Sequence, residues 1–126
     1  MIRDLARLLA QASPHLHPRA VAVVALDGFA TPEGLEIIGM FREAEGLTLY
    51  VDGEVAVAAG LPVAFRAAWI TMTVASALDA VGFTAAFSTA LAQAGIACNV
   101  VAGARHDHLF VPWEERDEAM RVLVGL

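Results

Sequence analysis

The half of the sequence from about Phe65 to the C-terminus restricts the fold more than any other part. Residues 65–74, FRAAWITMTV, alternate apolar side chains with a mixed set, which predicts a strand with two different faces. Residues 83–94 then carry apolar side chains at helical spacing, and Gly95 follows them as a C-terminal helix cap does. The sequence therefore predicts a strand followed by an amphipathic helix.

The segments that follow complete a recognisable order of elements. Residues 96–102 and 108–111 are β-rich runs on either side of the turn GARHD, which predicts a hairpin. A last helix over about 113–125 has its acidic residues first, as the helix macrodipole favours. The order βαββα is the ferredoxin-like βαββαβ order without its last strand. We expect an α+β fold in which an antiparallel sheet carries its helices on one face.

The first half of the sequence begins with a helix and a strand. Residues 2–12 have helical periodicity up to Ser13-Pro14, and Ala20–Leu26, AVAVVAL, is an apolar run that predicts a strand buried on both faces. Residues 29–34 are predicted to form a loop. Two β-rich runs, 37–41 and 47–51, predict another hairpin.

Gly60 and Pro62 mark the expected boundary between the two halves, 1–60 and 61–126. The opening helix and the strand at 20–26 are available to complete the βαββα half. We therefore expect two interlocked ferredoxin-like units in one chain.

Composition narrows the classes of partner. The chain has 126 residues, of which 58% are hydrophobic and 17% charged, and its formal net charge is −6. An acidic chain without a basic patch is expected to bind nucleic acids and anionic membranes poorly, so small molecules and proteins are the expected partners. Cys98 is the single cysteine, and the N-terminus lacks a signal-peptide pattern, so we expect a cytoplasmic protein. The uncharged stretch 80–104 contains polar residues and a change of pattern, so a membrane span is not expected.

Three stretches of the sequence resemble one family. They are GIACNVVAGARHDHLFVP (95–112), the preceding SALDAVGFTAAFSTALAQA (76–94), and FREAEGLTLYV (41–51). Together they are similar to a family of small bacterial proteins with ACT domains. The resemblance implies two ACT-like units, akin to the paired regulatory units of aspartate kinases, and a homodimer. It also implies that an amino acid or another small ligand is bound and that binding is coupled to assembly or to a partner's activity.

The sequence departs from that family pattern in two places. The turn before the helix usually begins with a His-Ser-Ser-like run, whereas this chain has Ala75-Ser76-Ala77. The hairpin turn often carries aromatic residues, whereas this chain has Ala104-Arg105. Both departures remove groups that shape a ligand pocket.

The strand-to-helix turn at 76–82 is the first candidate binding site. Free N–H groups at a helix N-terminus attract a carboxylate, Asp79 is suited to an ammonium group, and Gly82 permits close approach of a ligand. The family resemblance adds an asparagine on the following strand, where ligands bind across a unit interface. The predicted ligand-binding residues are Ser76, Asp79, Val81, Gly82, Phe83 and Asn99. The alternative is that Ser76 and Asp79 only satisfy turn and capping hydrogen bonds.

A metal site, a cofactor site or an enzyme active site is less well supported by the sequence. His106 and His108 would share a strand face near Cys98, but a zinc site needs further ligands, and His15 and His17 are distant in sequence. No cofactor motif and no catalytic motif is present, so we expect neither a cofactor nor an enzyme. A protein-interaction module without a ligand and, less favoured, a metal-dependent enzyme remain as alternatives. Aromatic residues on the second sheet face fit either a subunit contact or packing within the chain: Tyr50, Trp69, Phe110 and Trp113.

Overall fold

The computed structural model describes every residue from Met1 to Leu126. The helices are α1 (Leu5–Gln11), α2 (Gly53–Ala58), α3 (Phe83–Gln93) and α4 (Arg116–Val124), the last preceded by a 3-10 turn at Trp113–Glu115. The strands are β1 (Pro14–Leu16), β2 (Val21–Ala25), β3 (Gly39–Arg42), β4 (Leu47–Asp52), β5 (Val63–Met72), β6 (Asn99–Ala102) and β7 (Asp107–Pro112). The predicted α+β class with ferredoxin-like units is confirmed.

The chain forms two compact units. Unit 1 contains Met1–His17 and Ala68–Leu126, and unit 2 contains Pro18–Ala67. The boundary falls inside β5. The N-terminal segment therefore belongs to the same compact unit as most of the C-terminal half. The division of the sequence into the halves 1–60 and 61–126 stays a prediction.

Unit 1 has the strand order β1-β5-β7-β6. If β5 is counted as the first strand of a βαββαβ unit, this is the order 4-1-3-2 of a ferredoxin-like sheet, with β1 as the fourth strand. Strand β1 pairs antiparallel with the end of β5, with Leu16 opposite Ile70 and Pro14 opposite Met72. The expectation that Ala20–Leu26 completes this half was wrong, because that run forms β2 in unit 2 and the shorter β1 takes the place.

The core of unit 1 lies between the sheet and its helices. Helix α3 contributes Phe83, Phe87 and Leu91, which follow one another at intervals of four residues and are all buried. They pack with Ile70 and Met72 of β5 in one hydrophobic cluster. Gly95 ends the helix with φ 75°, a backbone conformation that glycine adopts without strain. The predicted helix and its apolar face are confirmed.

Unit 2 has the strand order β3-β4-β2-β5, again 4-1-3-2 if β2 is counted first. The loop between β2 and β3 stands where a ferredoxin-like unit has its first helix, and α2 is the second helix. The hairpin of β3 and β4 and the loop at 29–34 are as predicted. Strand β2 was predicted to be buried on both faces, but Ala25 is exposed and Val23 only half-buried.

Helix α2 was not predicted. Asp52 caps it by accepting hydrogen bonds from the backbone N–H groups of Glu54 and Val55 at 3.0 and 3.1 Å. Ala56 is then buried in the core of unit 2. The uncharged stretch 80–104 contains α3 and β6, and no helix of the chain has the length and hydropathy that a membrane span requires.

Candidate functional site

The turn from β5 to α3 is held at its start by the N-terminal residues. The backbone N–H of Ile2 donates to the carbonyl of Ala75 at 2.8 Å, and the N–H of Ala77 donates to the carbonyl of Ile2 at 2.9 Å. These bonds form an isolated parallel bridge between Ile2 and Ser76. The first part of the predicted binding turn is therefore fixed by backbone pairing.

Ser76 is buried and its hydroxyl is occupied. Its Oγ donates to Oδ2 of Asp107 at 3.2 Å, and the two residues are only 7% and 8% exposed. A buried carboxylate requires such a donor. Ser76 therefore supports the structure of the turn, and its hydroxyl is not free for a ligand while this bond is made.

The next part of the turn faces solvent. Asp79 is 72% exposed and accepts a hydrogen bond from Nε of Arg3 at 2.9 Å, and Val81 is 85% exposed. An ion pair in full contact with water contributes little to stability. The carboxylate of Asp79 is thus accessible to a cationic group, which would have to replace only the weak ion pair with Arg3.

Gly82 is the N-cap residue immediately before α3, has φ 102° and provides no side-chain cap. The first turn of the helix therefore has backbone N–H groups without a side-chain acceptor, the arrangement that attracts an anion. A Cβ at Gly82 would lie 3.1 Å from Cδ2 of Leu5. Glycine is required here both by the backbone conformation and by the approach of α1.

Phe83 and Asn99 are placed differently from the prediction. The ring of Phe83 is 3% exposed and packs edge-on against Phe87, so only its backbone faces the turn. Asn99 is the exposed first residue of β6 and pairs with Phe110. Asp107, which touches Ser76, pairs with Ala102, three residues further along β6, a distance of about 10 Å at strand spacing. The structure therefore brings residues 76–83 together but does not place Asn99 beside them.

The residues considered for metal binding are not assembled into a metal site. The chain has no group of three or more His, Cys, Asp or Glu side chains that could hold a metal ion. Cys98 is half-buried, and burial raises the pKa of its thiol. A thiol with a raised pKa is a weak nucleophile.

A second group of side chains lies on the opposite face of the unit 1 sheet, and we call it the imidazole–indole cluster. It consists of His15, His17, Trp69, Thr71 and His108. Trp69 and Thr71 alternate along β5 with the core residues of that strand, as His108 does along β7. His17 continues the pairing of β1, since its N–H donates to the carbonyl of Trp69 at 2.9 Å.

The cluster is connected by hydrogen bonds and ring contacts. Nε1 of Trp69 donates to Nδ1 of His108 at 3.1 Å. Oγ1 of Thr71 lies 3.0 Å from the same Nδ1 and 2.8 Å from Nε2 of His17. The imidazole of His17 stacks on the indole of Trp69 with a centroid distance of 3.6 Å and an interplanar angle of 12°. A polar hydrogen-bonded network of this kind specifies one arrangement of the side chains.

The environment disfavours the charged forms of two of these histidines. Burial lowers the pKa of His17, and His15 and His108 nearby lower it further. Burial also lowers the pKa of His108, with a smaller contribution from His106, while Asp107 acts in the opposite direction. Both imidazoles are therefore neutral at pH 7. Sequence reasoning missed the cluster, since His17 and His108 are remote in sequence and are joined only through tertiary contacts with Trp69 and Thr71.

Two units with the strand order 4-1-3-2 in one chain define the class of the protein, a tandem arrangement of ferredoxin-like α+β units. The chain belongs to the ACT domain family. One ACT domain model matches residues 2–68 and another matches residues 65–124. ACT domains are typically regulatory modules that bind small ligands. The resemblance found in the sequence is thereby confirmed.

Several solved structures have a similar fold. A Vibrio cholerae protein of unknown function, described as a possible transport protein, is 42% identical with a TM-score of 0.84, over 95% of this chain and 94% of that one. A protein from Agrobacterium tumefaciens has a TM-score of 0.70 at 16% identity, covering 90% and 87% of the two chains. The regulatory subunit of aspartate kinase from Thermus flavus has a TM-score of 0.60 at 11% identity, covering 90% and 95%. The last two show the fold alone. A search of curated proteins finds no match.

Proposed function

We propose that this protein is a non-catalytic regulatory protein of the cytoplasm that binds a small molecule, an amino acid, at the turn of residues 76–83, and that it acts as a homodimer. ACT domains generally bind small ligands such as amino acids and often dimerise. Ligand binding would then change the assembly of this chain or the activity of a partner.

The observation that carries the proposal is the N-terminus of α3. Gly82 supplies no side-chain acceptor, so the N–H groups of the first helical turn are available to the carboxylate of an amino acid. The preceding residues 78–81 lie mostly at the surface, with Leu78 70% and Val81 85% exposed. A ligand would therefore reach the helix end without displacing a core residue.

Asp79 is proposed to bind the ammonium group of the ligand. Its carboxylate is exposed and is held only by Arg3, in an ion pair whose loss is inexpensive in free energy. Val81 would cover the ligand's aliphatic part, while Gly82 and the backbone of Phe83 would face its carboxylate. The participation of Ser76 and Asn99 stays a prediction, since Ser76 is bonded to Asp107 and Asn99 lies at the other end of β6.

The experiment is a thermal-shift screen of the natural amino acids, followed by calorimetric titration of any that raises the melting temperature. A ligand present at about 100 times its dissociation constant stabilises the folded state by roughly 2.7 kcal/mol. Asp79→Ala should weaken binding at least tenfold without a large change in stability. The control is Asp117→Ala, which removes another exposed carboxylate at the start of a different helix.

Two results would count against the proposal. If no amino acid changes the melting temperature, the proposed ligand class is wrong, and a stoichiometric protein partner recovered in the same conditions would support an interaction module instead. If an amino acid binds equally well to Asp79→Ala and to the wild type, the ligand class stands but the site is elsewhere. Light scattering with and without the ligand measures the proposed dimer.

A further inference from the structure

We infer that the hydrogen bond between Trp69 and His108 is an acid-released latch: protonation of His108 breaks this bond and frees the indole of Trp69 while the fold remains intact. The inference concerns the imidazole–indole cluster of unit 1, on the opposite sheet face from the helices. It does not depend on the ligand proposed above.

The donors and acceptors of the two rings make protonation and the hydrogen bond mutually exclusive. An indole N–H only donates, so Nδ1 of His108, which lies 3.1 Å from Nε1 of Trp69, accepts with its lone pair. Neutral His108 therefore carries its proton on Nε2. A second proton has only Nδ1 to occupy, and it would place one N–H group against another at this distance. The indole must then move away.

Thr71 and the indole of Trp69 connect His108 with His17. The hydroxyl of Thr71 has one proton and lies within hydrogen-bond distance of both Nδ1 of His108 and Nε2 of His17. While the hydroxyl donates to His108, it accepts from His17. Protonated His108 ends that donation, so the hydroxyl proton has to turn away, while the hydroxyl oxygen, which has two lone pairs, can accept from both imidazoles. The His17 ring stacks on Trp69 at 3.6 Å, so movement of the indole would also disturb this ring stack.

Burial and the neighbouring titratable groups determine the pH at which the latch opens. The titratable groups near the two imidazoles are His15, whose ring lies 4.8 Å from that of His17, and the neighbours of His108 in sequence, His106 and Asp107. Asp107 points to the other face of β7, where it accepts from Ser76. Burial lowers the pKa of His108, and it does so for His17 too. The latch is therefore closed at neutral pH, and it opens in acid below about pH 6.5, the ordinary pKa of histidine.

Amide and indole ¹⁵N NMR of the full chain between pH 8 and 4.5 measures the latch directly. The protein has two tryptophans, and Trp113→Phe identifies the indole signal of Trp69. We expect hydrogen exchange of the Trp69 indole N–H, corrected for its intrinsic pH dependence, to accelerate at least tenfold through a reversible transition with its midpoint below pH 6.5. Far-UV circular dichroism should stay constant over this transition.

Three variants separate a latch from a merely structural contact. His108→Gln retains a side-chain oxygen acceptor but cannot titrate in this range, so the transition should disappear. His106→Gln removes a neighbouring imidazole that lowers the pKa of His108, so the midpoint should move upwards. His15→Gln, which removes an imidazole that acts on His17 and not directly on His108, should leave the midpoint of His108 unchanged.

A Trp69 signal that is constant from pH 8 to 4.5, or a transition that persists in His108→Gln, would overturn the inference. If circular dichroism shows that His108→Gln does not fold, His106→Gln decides the question in its place. A midpoint that stays fixed or falls in that variant would contradict the assignment of the transition to His108.

Discussion

The hydroxyl of Ser76 donates to Oδ2 of Asp107 at 3.2 Å and thereby joins the turn before α3 to the first residue of β7. Both side chains are more than nine-tenths buried. The bond therefore stabilises the conformation of the candidate binding turn on its buried side.

Ser76→Ala should lower the free energy of unfolding by about 1–3 kcal/mol, because it removes the hydroxyl that solvates a buried carboxylate. Chemical denaturation at pH 7 measures the change. Asp107→Asn in the Ser76→Ala background should recover part of the loss, since a neutral amide is less costly to bury. Ser88→Ala is the control, because that hydroxyl donates only to carbonyls of its own helix, Thr84 and Ala85, and its removal should change stability little. Equal effects of the two serine substitutions would contradict this reading.

Glycines at the two ends of α3 allow the effect of backbone conformation to be separated from the effect of steric crowding. Gly82 and Gly95 both have positive φ, at 102° and 75°, but only a Cβ at Gly82 would meet a neighbour, Cδ2 of Leu5 at 3.1 Å. Gly95→Ala should cost roughly 1–2 kcal/mol from the backbone alone. Gly82→Ala should cost more than that, and Leu5→Ala in the Gly82→Ala background should show a favourable coupling in a double-mutant cycle. A Gly82→Ala change that costs no more than Gly95→Ala would show that α1 does not crowd this position. Substitutions at Gly82 are for this reason poor tests of ligand binding.

The local patterns of the sequence predicted the elements that form from neighbouring residues. Helix α3 was found because Phe83, Phe87 and Leu91 recur at helical spacing and Gly95 ends them. Helix α2 was missed because its segment, GEVAVA, is short and lies before Gly60 and Pro62, which suggested a boundary. Its formation depends on the Asp52 cap and on burial of Ala56, and burial is not visible in so short a segment.

Features that depend on pairing between distant strands were not predictable in this way. Strand β1 has three residues, and its place beside β5 is set by tertiary pairing. The position of Asn99 relative to the turn depends on the direction and register of β6, which the alternation of side chains does not reveal. The turn at 76–83 consists of neighbouring residues, so it could be located from the sequence. The contact of His17 with Thr71 depends on the pairing of distant strands, so it could not.

Phe87 is predicted to be a main contributor to the core of unit 1. Its side chain is fully buried and contacts the ring of Phe83 edge-on at a centroid distance of 5.2 Å. Phe87→Ala should lower the free energy of unfolding by about 3–5 kcal/mol through lost burial and the cavity that remains. Val81→Ala is the control in the same region, and it should stay within about 0.5 kcal/mol because that side chain is 85% exposed. A loss below 1 kcal/mol for Phe87→Ala would mean that the helix repacks or that this core is not formed.

The cap of α2 predicts how unit 2 responds to acid. Hydrogen bonds from Arg19 and from the backbone of α2 lower the pKa of Asp52 to about 2. The unfolded chain has the ordinary aspartate pKa of about 3.9. Because the folded pKa is the lower one, the stabilisation is complete above about pH 4 and is lost as the pH falls towards 2.

Two substitutions at Asp52 separate the cap from its charge. Asp52→Ala should lower the free energy of unfolding at pH 7 by about 0.5–2 kcal/mol, because two backbone N–H groups lose their acceptor. Asp52→Asn, which caps helices about as well but cannot ionise, should already lack the charge-dependent stabilisation at pH 7, so its stability should change little between pH 4 and 2 where that of the wild type falls. Denaturation of the three proteins at several pH values gives both quantities. If Asp52→Asn follows the same acid profile as the wild type, another carboxylate is responsible for it, and the capping bonds do not depend on the charge of Asp52.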